Sequence, residues 1–214
     1  MIMMRKSQVD IVSAVIIVII SLTLFSVAYL WGWPLIQKRQ DSALVERAFK
    51  YFDPNNPNSL AKRIEYVANF GGEQTFFIDL DGVWILNEYD RESPENNSIT
   101  FTFSSKVSQI APNFGWIPFS PNIQEIGKIG LDEPSVVFGR ADSKGGRYNI
   151  TFKVWFRELE NIDGSKGYKI NLVKDPSGKL VSASKYLKIS RGNIITQQSD
   201  EKTLTITEIK ILLV

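Results

Sequence analysis

The sequence predicts a mainly β protein with a long N-terminal hydrophobic α-helix, the helix carrying an antiparallel β-sandwich head. Three observations lead there. Residues 11–34 contain no charged side chain. Apolar residues at helical spacing then continue to about residue 52 and return over 59–69. From residue 74 the pattern changes to alternation, with Gly, Asp, Asn and Pro clusters between short runs.

The apolar run comes first in the chain. Its interior, Val15 to Ile20, is continuous aliphatic. At a rise of about 1.5 Å per residue, roughly twenty helical residues cross a hydrocarbon core. Backbone groups in lipid must be satisfied within their own segment, so the run is expected to be helical despite its β-branched content. Tyr29, Trp31 and Trp33 cluster at its end and read as an interfacial aromatic belt, followed by Lys38 and Arg39. Leu44, Val45, Ala48, Phe49 and Phe52 share one helical face, with Pro34 expected to kink or restart the helix. Asp53-Pro54-Asn55-Asn56-Pro57-Asn58 breaks it. A short helix over 59–69 follows, capped by Asn58 or Ser59, with Leu60, Ile64, Val67 and Ala68 inward and Gly71-Gly72 as its stop.

Residues 74–80 and 83–87 flank Asp81-Gly82, a strong hairpin signal. Further strands are expected over 98–104, 135–140, 148–159, 168–173, 179–188 and 202–214. Residues 111–122, rich in Pro and aromatics, read as an irregular crossing and a candidate subdivision of the head. Phe114, Trp116 and Phe119 there are expected to plug the core rather than form a binding patch. Residues 209–214 are expected to form a buried last strand.

Composition narrows function. The chain is 43% hydrophobic and 22% charged, with a net charge of +2 and no basic stripe, so no nucleic-acid partner is expected. Without cysteine there are no disulfides and no zinc–thiolate sites. Without histidine the commonest general base and metal ligand are missing. No catalytic residue, cofactor or metal is expected. Asp79-Leu80-Asp81-Gly82 is a fragment of a calcium loop without its full ligand spacing, and reads as a turn. Asp132-Glu133 with Asp142 is a weaker oxygen-ligand candidate. Ser184-Lys185 and Ser165-Lys166 are neighbours in sequence, and on a strand neighbours face opposite ways. They are not expected to act as dyads.

Ahead of the apolar run stands Arg5-Lys6-Ser7-Gln8-Val9-Asp10. Two cations, a small residue and a glutamine in that place resemble the class III signal peptide of archaeal type IV pilins and archaellins. The resemblance implies cleavage by a prepilin peptidase between Ser7 and Gln8, after the cations Arg5 and Lys6. The hydrophobic helix is then retained. Serine stands where glycine or alanine is commoner, and Val12 stands where many pilins carry glutamate. The similarity runs over about residues 5–110, through the short helix, Gly71-Gly72, and the approach to Glu95-Asn96-Asn97-Ser98-Ile99. It divides the chain into a leader (1–7), a transmembrane and assembly helix (8–52) and a β head (53–214).

What the resemblance implies is a structural subunit of a cell-surface filament or its basal apparatus. The bilayer holds it until it associates with itself or with other pilin-like subunits. Ala14, Ser21 and Ala28, seven residues apart, make a stripe suited to close helix packing, although small residues are common in membrane helices. The head is expected outside the cell. The sequons at Asn96 and Asn149 agree, being acceptors only there. The charge count does not, since Lys38, Arg39, Arg47 and Lys50 outnumber Arg5 and Lys6. The alternative is a single-pass surface protein whose β domain binds a ligand or partner without polymerising.

Overall fold

The computed structural model describes residues 3–90, 92–93, 96–199 and 202–214, and of residues 3–10 the backbone alone. The leader positions Arg5, Lys6, Ser7 and Gln8 therefore lie outside the residues whose side chains are described. The chain separates into two compact units, Met1–Ser42 and Ala43–Val214.

The described residues of the first unit form a single helix. It belongs to α1 (Met3–Phe52), which is unbroken through Pro34. The expected restart there does not occur: proline removes one backbone donor, and the helical bonds on either side carry the chain past it.

The second unit begins inside the same helix. Val45, Ala48 and Phe52 are buried in the head's core, so the last turns of α1 are part of the head. The Phe52 ring lies parallel to Phe152 at 4.7 Å, and its neighbours include Trp84 and Phe101, each at 6.1 Å. Helix α2 (Leu60–Phe70) follows, with Ser59 as its N-cap accepting from the Lys62 N–H. It buries Leu60, Ala61, Ile64, Val67 and Ala68. Gly71 ends it at φ 80°, in the left-handed region glycine enters freely, and its N–H returns to the Val67 carbonyl.

Among the described residues the rest is twelve strands in two six-stranded sheets that share one hydrophobic core. They are β1 (Glu73–Phe77), β2 (Gly82–Asn87), β3 (Ser98–Ser105), β4 (Ile117–Pro118), β5 (Ile126–Lys128) and β6 (Ser135–Lys144), then β7 (Arg147–Phe156), β8 (Glu158–Glu160), β9 (Lys166–Lys174), β10 (Val181–Ser182), β11 (Tyr186–Gln198) and β12 (Thr203–Leu213). One sheet has the order β1-β11-β12-β9-β8-β5, the other β10-β2-β3-β7-β6-β4. Alternate residues face the core, among them Ile99, Phe101 and Phe103 of β3 against Ile150, Phe152 and Val154 of β7.

The fold class is as expected, with one qualification. The head is not purely antiparallel, because β9 pairs with β12, and β5 with β8, in parallel. Three further differences have one cause, the passage of the chain from sheet to sheet. Asp81-Gly82 is no hairpin: β1 pairs with β11, while β2 pairs with β3 and β10 in the other sheet. Ile78 and Leu80 are buried along this crossing, so the apolar residues that resembled strand continuation line a passage through the core. Gly82 serves close approach, since a Cβ there would sit 2.3 Å from the Phe101 ring. Likewise 148–159 divides at Arg157 into β7 and β8, one in each sheet, and 179–188 divides into β10 and the start of β11.

No subdivision falls at 111–122. That segment carries β4, which pairs with β6, and Phe119 packs on Phe49 and Phe152 within the one core. Phe114, by contrast, is 79% exposed and Trp116 half-exposed, so only Phe119 plugs the core as expected. The last strand is buried at Ile209, Ile211 and Leu213 and paired within the chain on both sides.

Candidate functional site

Two features of the described residues stand out, an uncovered apolar helix and a cavity beside α2. The first is the helix of the first unit. Its apolar side chains from Ile11 to Ile36 are all exposed, Phe25 at 71% and Trp31 at 78% among them. It is long and apolar enough to cross a membrane. Its interior polar groups are partly self-satisfied: the Thr23 hydroxyl donates to the Ile19 carbonyl at 2.8 Å, and Ser26 to Leu22 at 2.7 Å. That back-bonding lets a hydroxyl enter lipid without an orphan donor. Tyr29 stacks on Trp33 at 5.9 Å. Ala14, Ser21 and Ala28 all stand uncovered on this helix.

The second feature is a cavity of about 540 Å³ alongside α2, lined by residues that include Lys62, Arg63, Glu65, Tyr66, Asn69, Phe70 and Gln74. Its floor is ionic. Glu65 is buried, accepts from the Ser135 hydroxyl at 2.5 Å, and pairs with Lys62 at 3.0 Å. Lys62 also reaches Glu133 at 2.7 Å. Burial raises the Glu65 carboxyl above the usual carboxylate range, with Ser135 and Lys62 opposing. Burial opposes a rise at Lys62, but its two carboxylate partners prevail and hold it above its ordinary value. Tyr66 and Phe70, one turn apart, form an exposed aromatic rim with rings 4.9 Å apart.

The sign of the Glu65 shift gives a prediction. A carboxyl whose folded pKa is raised favours the folded state most below its unfolded pKa, and loses that contribution as pH rises through the folded value. Glu65→Gln keeps a partner for Ser135 and removes the titration. The variant's stability relative to the parent is expected to rise from pH 4 to pH 8 in denaturant unfolding. A difference independent of pH would show that Glu65 is not held in a costly charged state.

The weaker ligand candidates do not converge. Asp132 is taken by the Lys128 N–H, Asn122 and Arg157, Glu133 by Lys62, and Asp142 by Arg140. Backbone and side-chain donors hold Asp132 below the usual carboxylate range. Asp79 and Asp81 both pair with Lys185, which leaves Ser184 to accept from the Tyr186 N–H. Ser165 bonds Asp163 rather than a lysine. Of the two sequons, Asn149 is exposed on β7, whereas Asn96 is half-buried and its hydroxyl partner Ser98 fully buried.

Two structural residues carried little sequence signal. Asn97 adopts φ 71° and spans the sheets: its amide donates to the Phe156 and Ile170 carbonyls and accepts the Leu172 N–H. In sequence it is only the middle of a sequon. Arg157, at the sheet crossing, is buried and donates to the carbonyls of Glu133 and Gln124, tying down the preceding loop.

The fold and the uncovered helix define a class: a two-sheet β head whose own first helix is long and apolar enough to cross a bilayer. No family model matches the chain, and no curated protein or solved structure is significantly similar to it.

Proposed function

We propose that the protein is a pilin-like structural subunit of a cell-surface filament or its basal apparatus, held in the membrane by α1 until it assembles. The observation that carries this is α1 itself. From Ile11 to Ile36 its apolar side chains have no cover among the described residues, and its last turns are built into the head's core. Apolar area left in water costs about 25 cal/mol per Å², so such a helix needs lipid or other helices around it. One helix meets both needs in turn, first in the bilayer and then against neighbouring subunits. The Arg5-Lys6-Ser7-Gln8 prefix supports the same reading, as does the order of one long helix followed by a β head.

N-terminal sequencing of native protein is expected to begin at Gln8. Replacing Lys6 by Ala is expected to leave a larger, unprocessed form in the membrane fraction. Native protein that retains Met1 would sink the pilin reading. In electron microscopy an antibody against the head is expected to decorate filaments or their base.

The cavity beside α2 favours a second reading, in which the head binds a ligand and the helix serves as an anchor. Diffuse surface label without filaments would support it.

A further inference from the structure

Sheet edges are where a β protein meets other strands, because their outer N–H and C=O groups lack partners. The four strands that end the two sheets are β1, β5, β10 and β4. Three of these are blunted by length: β5 has three residues, β10 two, and β4 two, one of them Pro118. The fourth, β1, has five residues, and the Arg63 guanidinium occupies its Thr75 carbonyl at 3.3 Å.

A fifth edge arises from a mismatch in length. Strand β11 has 13 residues, but β1 covers only Tyr186 to Ser190. Past that point the Arg191 N–H donates to the Gly72 carbonyl at 3.3 Å, and the register against β12 shifts between Arg191 and Ile194. Residues 194–198 then pair with β12 on their inner side. Among the described residues nothing pairs with their outer side, and residues 193–199 are all exposed.

The composition of this overhang is unusual for an open edge. Gly192-Asn193-Ile194-Ile195-Thr196-Gln197-Gln198-Ser199 contains no charge and no proline. Lysine, proline and inward charge are the usual means of keeping an edge from pairing, and all are missing. Two consecutive isoleucines are instead held out, Ile194 at 55% exposure.

We infer that residues 193–198 form an interaction edge that pairs antiparallel with the same edge of a second copy of this chain. The pattern suits itself. In a two-fold antiparallel pair one residue must face its own counterpart, because the axis runs perpendicular to the sheet. Centring on Ile195 sets Ile195 opposite Ile195, Ile194 opposite Thr196, and Asn193 opposite Gln197. Branched side chains then meet branched ones, the amides meet each other, and no like charges are opposed. Five paired residues a side bury far less than the roughly 1,600 Å² of a standard stable interface. The contact therefore holds between copies already concentrated together, as on one membrane or in one assembly. It goes beyond the role of α1 and rests on that reading only in that the membrane or assembly concentrates the copies.

The absence of cysteine makes the test clean. Single-cysteine variants of the full chain in native membranes are oxidised and read as covalent dimer. Ile195→Cys is expected to give a strong dimer band. Asn193→Cys alone and Gln197→Cys alone are expected to lose it, because like residues then lie about 14 Å apart along the strands, beyond the ~7 Å Cα separation a disulfide allows. Mixing the Asn193→Cys and Gln197→Cys proteins is expected to restore it. No dimer at Ile195 and none in the mixture overturns the inference, as does equal dimer at all positions, which would report random collision. Ala28→Cys on α1 is read in parallel. Cross-linking at Ala28 without cross-linking at the edge refutes the edge alone, and the reverse refutes helix-driven assembly alone.

Discussion

Phe52→Ala is expected to destabilise the head by about 3–5 kcal/mol, the usual cost of emptying a buried phenylalanine site. The expectation is at the top of the range because of where the ring sits. Phe52 is 1% exposed and has aromatic neighbours on several sides, with Phe152 stacked at 4.7 Å and Trp84 and Phe101 close by. Flat rings of this size, packed on one another, cannot collapse into a gap as aliphatic chains can, so the cavity stays open. In a head of this size each kcal/mol shifts the melting temperature by roughly 2–4 °C, so a drop of about 10 °C is expected in thermal unfolding of the full chain in detergent. The consequence goes beyond stability. The substituted residue lies at the end of the apolar helix, so the same change is expected to loosen the join between helix and head. Limited proteolysis should then cut near Asp53 in the variant and not in the parent. A variant that melts with the parent and resists cleavage would show that the end of α1 is only laid on the head.

Asn97→Ala is the second large effect expected, at least about 4 kcal/mol. Its side chain makes three hydrogen bonds, at 2.8 Å to the Phe156 carbonyl, 2.7 Å to the Ile170 carbonyl and 2.7 Å from the Leu172 N–H. Phe156 ends a strand of one sheet, and Ile170 and Leu172 belong to the other. Truncation leaves buried backbone groups of both sheets without partners, at about 1–3 kcal/mol for each group left unsatisfied. The left-handed backbone at φ 71° adds about 1 kcal/mol for alanine over asparagine or glycine. Asn97→Gly separates these causes. It loses the same hydrogen bonds but relieves the backbone, so it should lie about 1 kcal/mol above the alanine variant in denaturant midpoint series. Equal destabilisation by both would mean that backbone strain contributes nothing. A neutral Asn97→Ala would mean that water replaces the amide.

Much of the architecture was readable beforehand, for reasons specific to its elements. The α1 segment is legible because its apolar run is long and uninterrupted. Helix α2 is legible because Ser59, an apolar face at helical spacing and Gly71 stand in order. Strands β3, β7 and β12 are legible because they alternate, and β6 and β9 because turn residues bound their short apolar runs. The sheet crossings were not. Residues 77–82 carry the Asp-Gly of a hairpin and the apolar residues of two strands, and local chemistry does not say whether the next strand turns back or passes through the core. The candidate cavity was likewise hidden, since Glu65 looks like any polar residue beside a helical face until Ser135, seventy positions later, is found against it.

The sequence by itself determined the N-terminal apolar helix, the helix-to-strand change of period and the absence of cysteine and histidine chemistry. These are composition and periodicity, properties of consecutive residues. Only the tertiary structure decided which strands share a sheet, that two pairs run parallel, that Asn97 and Glu65 are buried with partners, and that β11 outruns β1 to leave an uncovered edge. Each of these depends on which residues meet across tens of positions, and burial and strand pairing are set by that meeting.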